Sequence, residues 1–136
     1  MKLQVYQSYW GMVELPFNGD EEWSMEEKLE KIAEAGFDGV EFLMEEKAHR
    51  DAMVPLCDQL GLKRSNIVFP WTPEEFDEDI KAAQDGGASH INLQPMPMPR
   101  RVADGVSYIV RCMDRAAAAG YPVSYTHLRA HETSRN

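Results

Sequence analysis

At 136 residues and a formal net charge of −9, the chain has the length of one domain but falls short of the about 250 residues that a complete (β/α)8 barrel takes. Its acidic balance argues against a nucleic-acid or anionic-membrane partner, since both need a basic surface. No run of about 18 apolar residues is present to span a membrane, and the chain enters a strand-like pattern by Val5 with no signal-peptide pattern, so a cytoplasmic location is expected.

The first strand pattern ends near Gln7 and would deliver Gln7, Tyr9 and Trp10 to its C-terminal end. Ser24-Met25-Glu26-Glu27 then reads as a capping box, in which the Ser24 hydroxyl accepts an N–H of the first turn and Glu27 reaches back. Met25, Leu29, Ile32 and Ala33 follow at helical spacing on one face. Ala35-Gly36-Phe37 closes this helix and leads into the strand Val40-Glu41-Phe42-Leu43. A second helix is expected over 46–60, with Pro55 kinking it or delaying its start. Leu60-Gly61-Leu62 leads into Ile67-Val68-Phe69, and this third strand would deliver Phe69 and Trp71. Thr72-Pro73-Glu74-Glu75 repeats the capping device ahead of the stripe Phe76, Ile80, Ala83. Gly86-Gly87-Ala88 leads into His90-Ile91-Asn92-Leu93-Gln94, followed by the stiff loop Met96-Pro97-Met98-Pro99. A fourth helix over 102–119 is expected to bury Val106, Ile109, Val110, Met113 and Ala117, and Ala119-Gly120-Tyr121 leads into Pro122-Val123. The two cysteines, Cys57 and Cys112, fall in separate helices without metal-type spacing and are expected to be buried, reduced thiols.

The closing glycines Gly36, Gly61, Gly87 and Gly120 recur every 25 to 33 residues. A strand-then-helix unit repeated in this way implies a parallel sheet with right-handed crossovers. Two architectures use such units. One is a parallel (β/α)8 TIM-barrel type, here truncated to about four and a half βα units. The other is a small flavodoxin-like α/β binding or regulatory domain. The order of strands separates them: sequential 1-2-3-4-5 for the barrel, 2-1-3-4-5 for the open sheet. The first βα turn, from Tyr9 to Asp20, carries no GxGxxG or P-loop pattern, so a nucleotide phosphate cradle has no support there.

In a parallel barrel the chemistry gathers at the C-terminal ends of the strands. Strand alternation turns Val40 and Phe42 to the helices and Glu41 to the barrel axis. A carboxylate there is costly unless it is paired or used, so Glu41 is either a structural hydrogen-bonding group or a substrate contact. Gln94 poses the same choice, between binding a sugar hydroxyl and tying down a loop. Trp10 and Trp71 either floor a sugar site or pack in the core. These four residues form the expected substrate-binding set. His90 is expected to precede the buried part of its strand. His49, among Glu45, Glu46, Lys47 and Arg50, and the charged run from Asp20 to Glu34 are both expected to be solvated helix faces.

The runs Gln7-Ser8-Tyr9-Trp10-Gly11-Met12 and Glu30-Lys31-Ile32-Ala33-Glu34-Ala35-Gly36-Phe37-Asp38-Gly39-Val40-Glu41 resemble the sugar phosphate isomerase/epimerase family, whose members have a xylose-isomerase-like TIM barrel. The segments from Gly87 to Pro95 and from Ala119 to Val123 are similar to its fourth and fifth units. The resemblance covers about residues 3 to 123 and implies the N-terminal half of such a barrel. It also implies a sugar or polyol substrate and aldose–ketose isomerisation or epimerisation by proton transfer next to a carbonyl. A divalent metal would be held by Glu, Asp, His and Glu at the ends of the fifth to eighth strands, polarising an oxygen of the substrate. The sequence departs from the family after Val123: the expected Glu is missing, and Ser124 to Asn136 reads as a non-native or disordered tail. No metal site is therefore expected in this chain, and the fragment is expected to be inactive. His127, His131 and Glu132 share a metal-like spacing in that tail, but without an HExxH pattern or a helix start. Open strand edges in a half barrel would favour self-association. A metal-dependent endonuclease of the same barrel superfamily is a further alternative, disfavoured by the acidic charge.

Overall fold

A computed structural model describes residues 2–125. The elements are β1 (Tyr6–Ser8), α1 (Met25–Glu34), β2 (Gly39–Phe42), α2 (Lys47–Leu60), β3 (Lys63–Val68), α3 (Phe76–Asp85), β4 (His90–Leu93), α4 (Val102–Ala118) and β5 (Val123–Tyr125), with a short 3-10 turn at Tyr9–Met12 after β1. The strands form one five-stranded parallel sheet in the order β1-β2-β3-β4-β5. This sequential order overturns the flavodoxin-like alternative.

The placement of the helices argues the same way. Phe42 lies opposite Asn66 and Asn66 opposite Ile91, while Val68 lies opposite Leu93. Residues paired across parallel strands share a face, so these side chains all point to one side of the sheet. Both apolar clusters lie on that side. Leu29, Ile32, Val40, Phe42, Met53 and Cys57 belong to a cluster between the sheet and α1 and α2. Val68, Phe76, Ile80, Ile91, Leu93 and Cys112 belong to a second, under α3 and α4. A doubly wound sheet would have helices on both faces.

The opposite face is polar. Ser8, Glu41, Ser65 and His90 lie in one cross-strand row, and Ile67, Asn92 and Ser124 in the next. On β2 only the helix-facing side is apolar, and Glu41 on the other side is half-buried.

Local signals explain the helix boundaries. Ser24 Oγ accepts from Glu27 N–H at 3.2 Å and Ser24 N–H donates to Glu27 at 2.8 Å, which is the expected capping box. The Thr72 device is shifted by one residue. Thr72 accepts from Glu75 N–H, but the Glu75 carboxylate takes Trp71 N–H, and the helix begins only at Phe76. The four unit-closing glycines all have positive φ, between 62° and 85°, where a side chain would be strained. The helix α2 starts at Lys47 and runs through Pro55. Pro55 cannot donate to the Asp51 carbonyl, and both residues are exposed to water, which can take over the bond.

Three expectations about burial are corrected. On α4 the sheet-facing side carries Tyr108, Ile109, Cys112 and Ala116, whereas Val106, Val110 and Met113 are exposed and Ala117 is solvent-facing. That helix is apolar over a wide arc, so periodicity did not fix its phase. His49 is half-buried, with its ring 5.8 Å from those of Tyr9 and Phe42. Lys28 and Arg50 are buried as well: Lys28 pairs with Glu22 and lies over the Tyr9 ring, and Arg50 donates to the Met44 carbonyl at 2.6 Å. Long basic side chains can bury their stems while the head finds a partner.

Both cysteines are buried and free, as expected. Burial pushes the Cys57 thiol up to about 11, which leaves it inert at neutral pH.

A pH-sensitive position lies on α3. Burial, and then the like charges of Glu45, Glu75 and Glu78, push the Asp79 carboxyl up to about 7 from 3.8. Between those values the folded chain holds a proton that the unfolded chain has released. Stability from this group is therefore present below about pH 4 and is lost as pH rises to about 7. Asp79→Asn should raise stability at pH 8 by about 1–2 kcal/mol after allowance for solvent screening, and should change it little at pH 4. Urea midpoints at the two pH values read this out; equal shifts at both would contradict it.

Candidate functional site

The polar face is a connected hydrogen-bond network. Glu41 Oε2 accepts from Ser65 Oγ at 3.3 Å and from Asn92 Nδ2 at 3.1 Å. Ser65 Oγ is 3.1 Å from His90 Nε2, and His90 Nδ1 is 3.0 Å from Ser89 Oγ. Ser89 Oγ in turn lies 2.9 Å from the Tyr6 hydroxyl, and the Tyr6 ring meets His90 edge-on at 5.2 Å. Burial holds the His90 imidazole below its usual range, and the Glu41 charge opposes that shift. His90 is therefore a member of the inner face and does not simply precede the strand. Ser65, which is fully buried, and His90 were not among the site residues expected from sequence. Their signal was the register: each lies directly across from its neighbour on the next strand, and pairing cannot be read from strands taken singly.

The C-terminal rim is aromatic. Trp10 is 51 % exposed and stacks on Phe69, with ring centroids 5.4 Å apart and planes 18° from parallel. Trp71 is 59 % exposed. Neither tryptophan is a core residue. Gln94 follows β4, bonds the Val68 carbonyl through its backbone N–H at 2.9 Å, and is half-buried. Its side-chain amide makes no hydrogen bond among the described residues. Gln7 lies opposite Val40, on the helix side, so β1 turns Ser8 and not Gln7 toward Glu41.

Of the expected substrate-binding set, Glu41 thus lies in the inner network, while Trp10, Trp71 and Gln94 follow the ends of β1, β3 and β4. Glu41 has the structural hydrogen bonds that sequence reasoning offered as one alternative, and its second oxygen, Oε1, accepts none among the described residues. No group of three or more His, Cys, Asp or Glu residues could hold a metal ion among the described residues. The metal-like spacing of His127, His131 and Glu132 lies outside them. No described helix is long and apolar enough to cross a membrane.

No family model matches the sequence, and no curated protein matches it. A solved structure does: a D-allulose 3-epimerase from Methylomonas sp. matches with a TM-score of 0.54 and 18% identity, over 74% of this chain and 44% of that one. The fold is of the parallel α/β barrel type. At this identity the likeness concerns fold alone, and the chain spans less than half the length of that epimerase.

Proposed function

We propose that the polar face and aromatic rim are the substrate side of a sugar, or sugar phosphate, isomerase or epimerase. The observation that carries this reading is Glu41: a half-buried carboxylate on the polar face, gripped at one oxygen by Ser65 and Asn92, on the strand next to the one leading to Trp10. A carboxylate beside an amide suits the alternating donors and acceptors of a polyol. An exposed indole offers an apolar surface for the C–H face of a sugar ring. The fold shared with an epimerase supports the same class.

The reaction would move a proton next to a carbonyl, which needs an acid and a base, and a divalent metal would supply polarisation of the carbonyl oxygen. The described residues do not fit a metal of that kind. The part of this chain is therefore to bind and orient: Glu41 and Gln94 hold hydroxyls, and Trp10 and Trp71 shape the mouth.

Isothermal titration with D-allulose tests the proposal. Wild type should give saturable heat, and Trp10→Ala and Glu41→Gln should each weaken binding about tenfold, or about 1.4 kcal/mol. A folded wild-type chain that gives no heat ends the proposal, and so do variants that bind as wild type does.

A further inference from the structure

The network on the polar face has a direction, and hydrogen counting reveals it. A serine hydroxyl has one proton to donate. Ser65 donates its proton to Glu41 Oε2. Toward His90 the same oxygen can only accept, so His90 Nε2 must carry a hydrogen. Nδ1 of a neutral ring is then an acceptor, and Ser89 Oγ is its donor at 3.0 Å. Ser89 can turn its proton there at little cost. Its other acceptor, the Arg64 carbonyl at 3.0 Å, already receives the Ser89 backbone N–H at 2.7 Å. The Tyr6 hydroxyl, 2.9 Å away, can donate to Ser89 Oγ in turn, since its other acceptor, Gln4 Oε1, is farther off at 3.4 Å. Every proton in the chain Tyr6–Ser89–His90–Ser65 is thereby directed toward Glu41. In the opposite tautomer Nε2 would accept the Ser65 proton, and Glu41 would lose that donor.

We propose that His90 is a positioning residue for Glu41: its Nε2–H fixes the Ser65 hydroxyl so that the proton points at Glu41 Oε2, holding the carboxylate in one orientation with Oε1 left to accept from a ligand hydroxyl. The identity of that ligand as a sugar or polyol rests on the function proposed above; the relay itself does not. Groups that meet His90 come from three other strands and from its own flank: Tyr6 from β1, Glu41 from β2, Ser65 from β3 and Ser89 just before β4. Glu41 is the carboxylate among them, and its effect on His90 opposes that of burial.

The test has two ligand-free measurements and one binding measurement. Nitrogen-15 shifts of the imidazole, assigned with His90→Gln, should show the Nε2–H tautomer in the wild-type chain at pH 8; the Nδ1–H tautomer overturns the relay. The proton titration of His90 should move to lower pH by about one unit in Glu41→Gln, and an unmoved midpoint overturns it. In calorimetry with D-allulose, His90→Gln, whose amide can still donate near the Nε2 position, should bind within about threefold of wild type. His90→Leu, which has no donor, should bind about tenfold more weakly; equal binding by the two variants overturns the positioning role. A wild-type chain that does not bind D-allulose overturns the sugar reading alone, and the tautomer and midpoint then decide the relay.

Discussion

Phe42→Ala should destabilise the chain by about 3–5 kcal/mol. Phe42 is 2 % exposed at the end of β2, where its ring meets that of His49 and joins Val40, Leu29 and Met53 in the first apolar cluster. Removing it takes away most of a large buried side chain, and the surrounding strand and helices cannot fully close the space. Domains of this size keep only about 5–15 kcal/mol in reserve, so the variant should melt far below wild type in urea or heat. Phe17, 69 % exposed, is the matched control, and Phe17→Ala should stay within about 0.5 kcal/mol of wild type. A cost below about 1 kcal/mol for Phe42→Ala would mean that this cluster is not packed as described.

Asn66→Leu should cost about 1–3 kcal/mol, although it places an apolar residue on the apolar side of the sheet. Asn66 is 1 % exposed. Its Oδ1 accepts from Met44 N–H at 3.0 Å, and its Nδ2 donates to the Asp79 carbonyl at 3.2 Å. One side chain thus holds both the loop after β2 and the first turns of α3 against β3. Leucine matches the volume but strands the buried Met44 N–H, at about 1–3 kcal/mol, and takes from the Asp79 carbonyl a second donor beside its helical one, while recovering part of that through its own burial. Denaturant unfolding of the variant measures the balance. A Leu variant as stable as wild type would show that the two hydrogen bonds contribute nothing net.

Local signals carried most of the architecture. The Ser24 box and the positive-φ glycines are decided within a few residues, and both appear where the sequence puts them. The sequential strand order follows from repetition of the unit. What local reading missed depends on partners distant in sequence. The strand β3 begins at Lys63, earlier than its apolar run Ile67-Val68-Phe69 suggests, because Arg64 and Asn66 find acceptors on α2, on the end of α3 and on the α3 backbone. The buried face of α4 depends on which side meets the sheet and α3, where Arg111 and Arg115 pair with Glu74, and Arg115 also with Asp77. Of the candidate site, the polar character of Glu41 and the aromatic rim were legible. The contribution of Ser65 and His90 was not, because it exists only once three strands lie in register.

The helix-facing row of β3, with Leu62 just ahead of it, reads Leu62, Arg64, Asn66, Val68, apolar at both ends and polar in the middle. Leu62 belongs to the first cluster and Val68 to the second. The chain is thus modular: two βα pairs, each with its own oil-filled compartment, share a central strand whose polar middle acts as a bulkhead. In evolutionary terms, such a bulkhead lets the packing of one compartment drift by compensating substitutions while the other stays fixed. It also marks β3 as the seam along which one pair could be exchanged for that of a relative, with Ala82 of α3 and Ala88 as the contacts that would have to be matched.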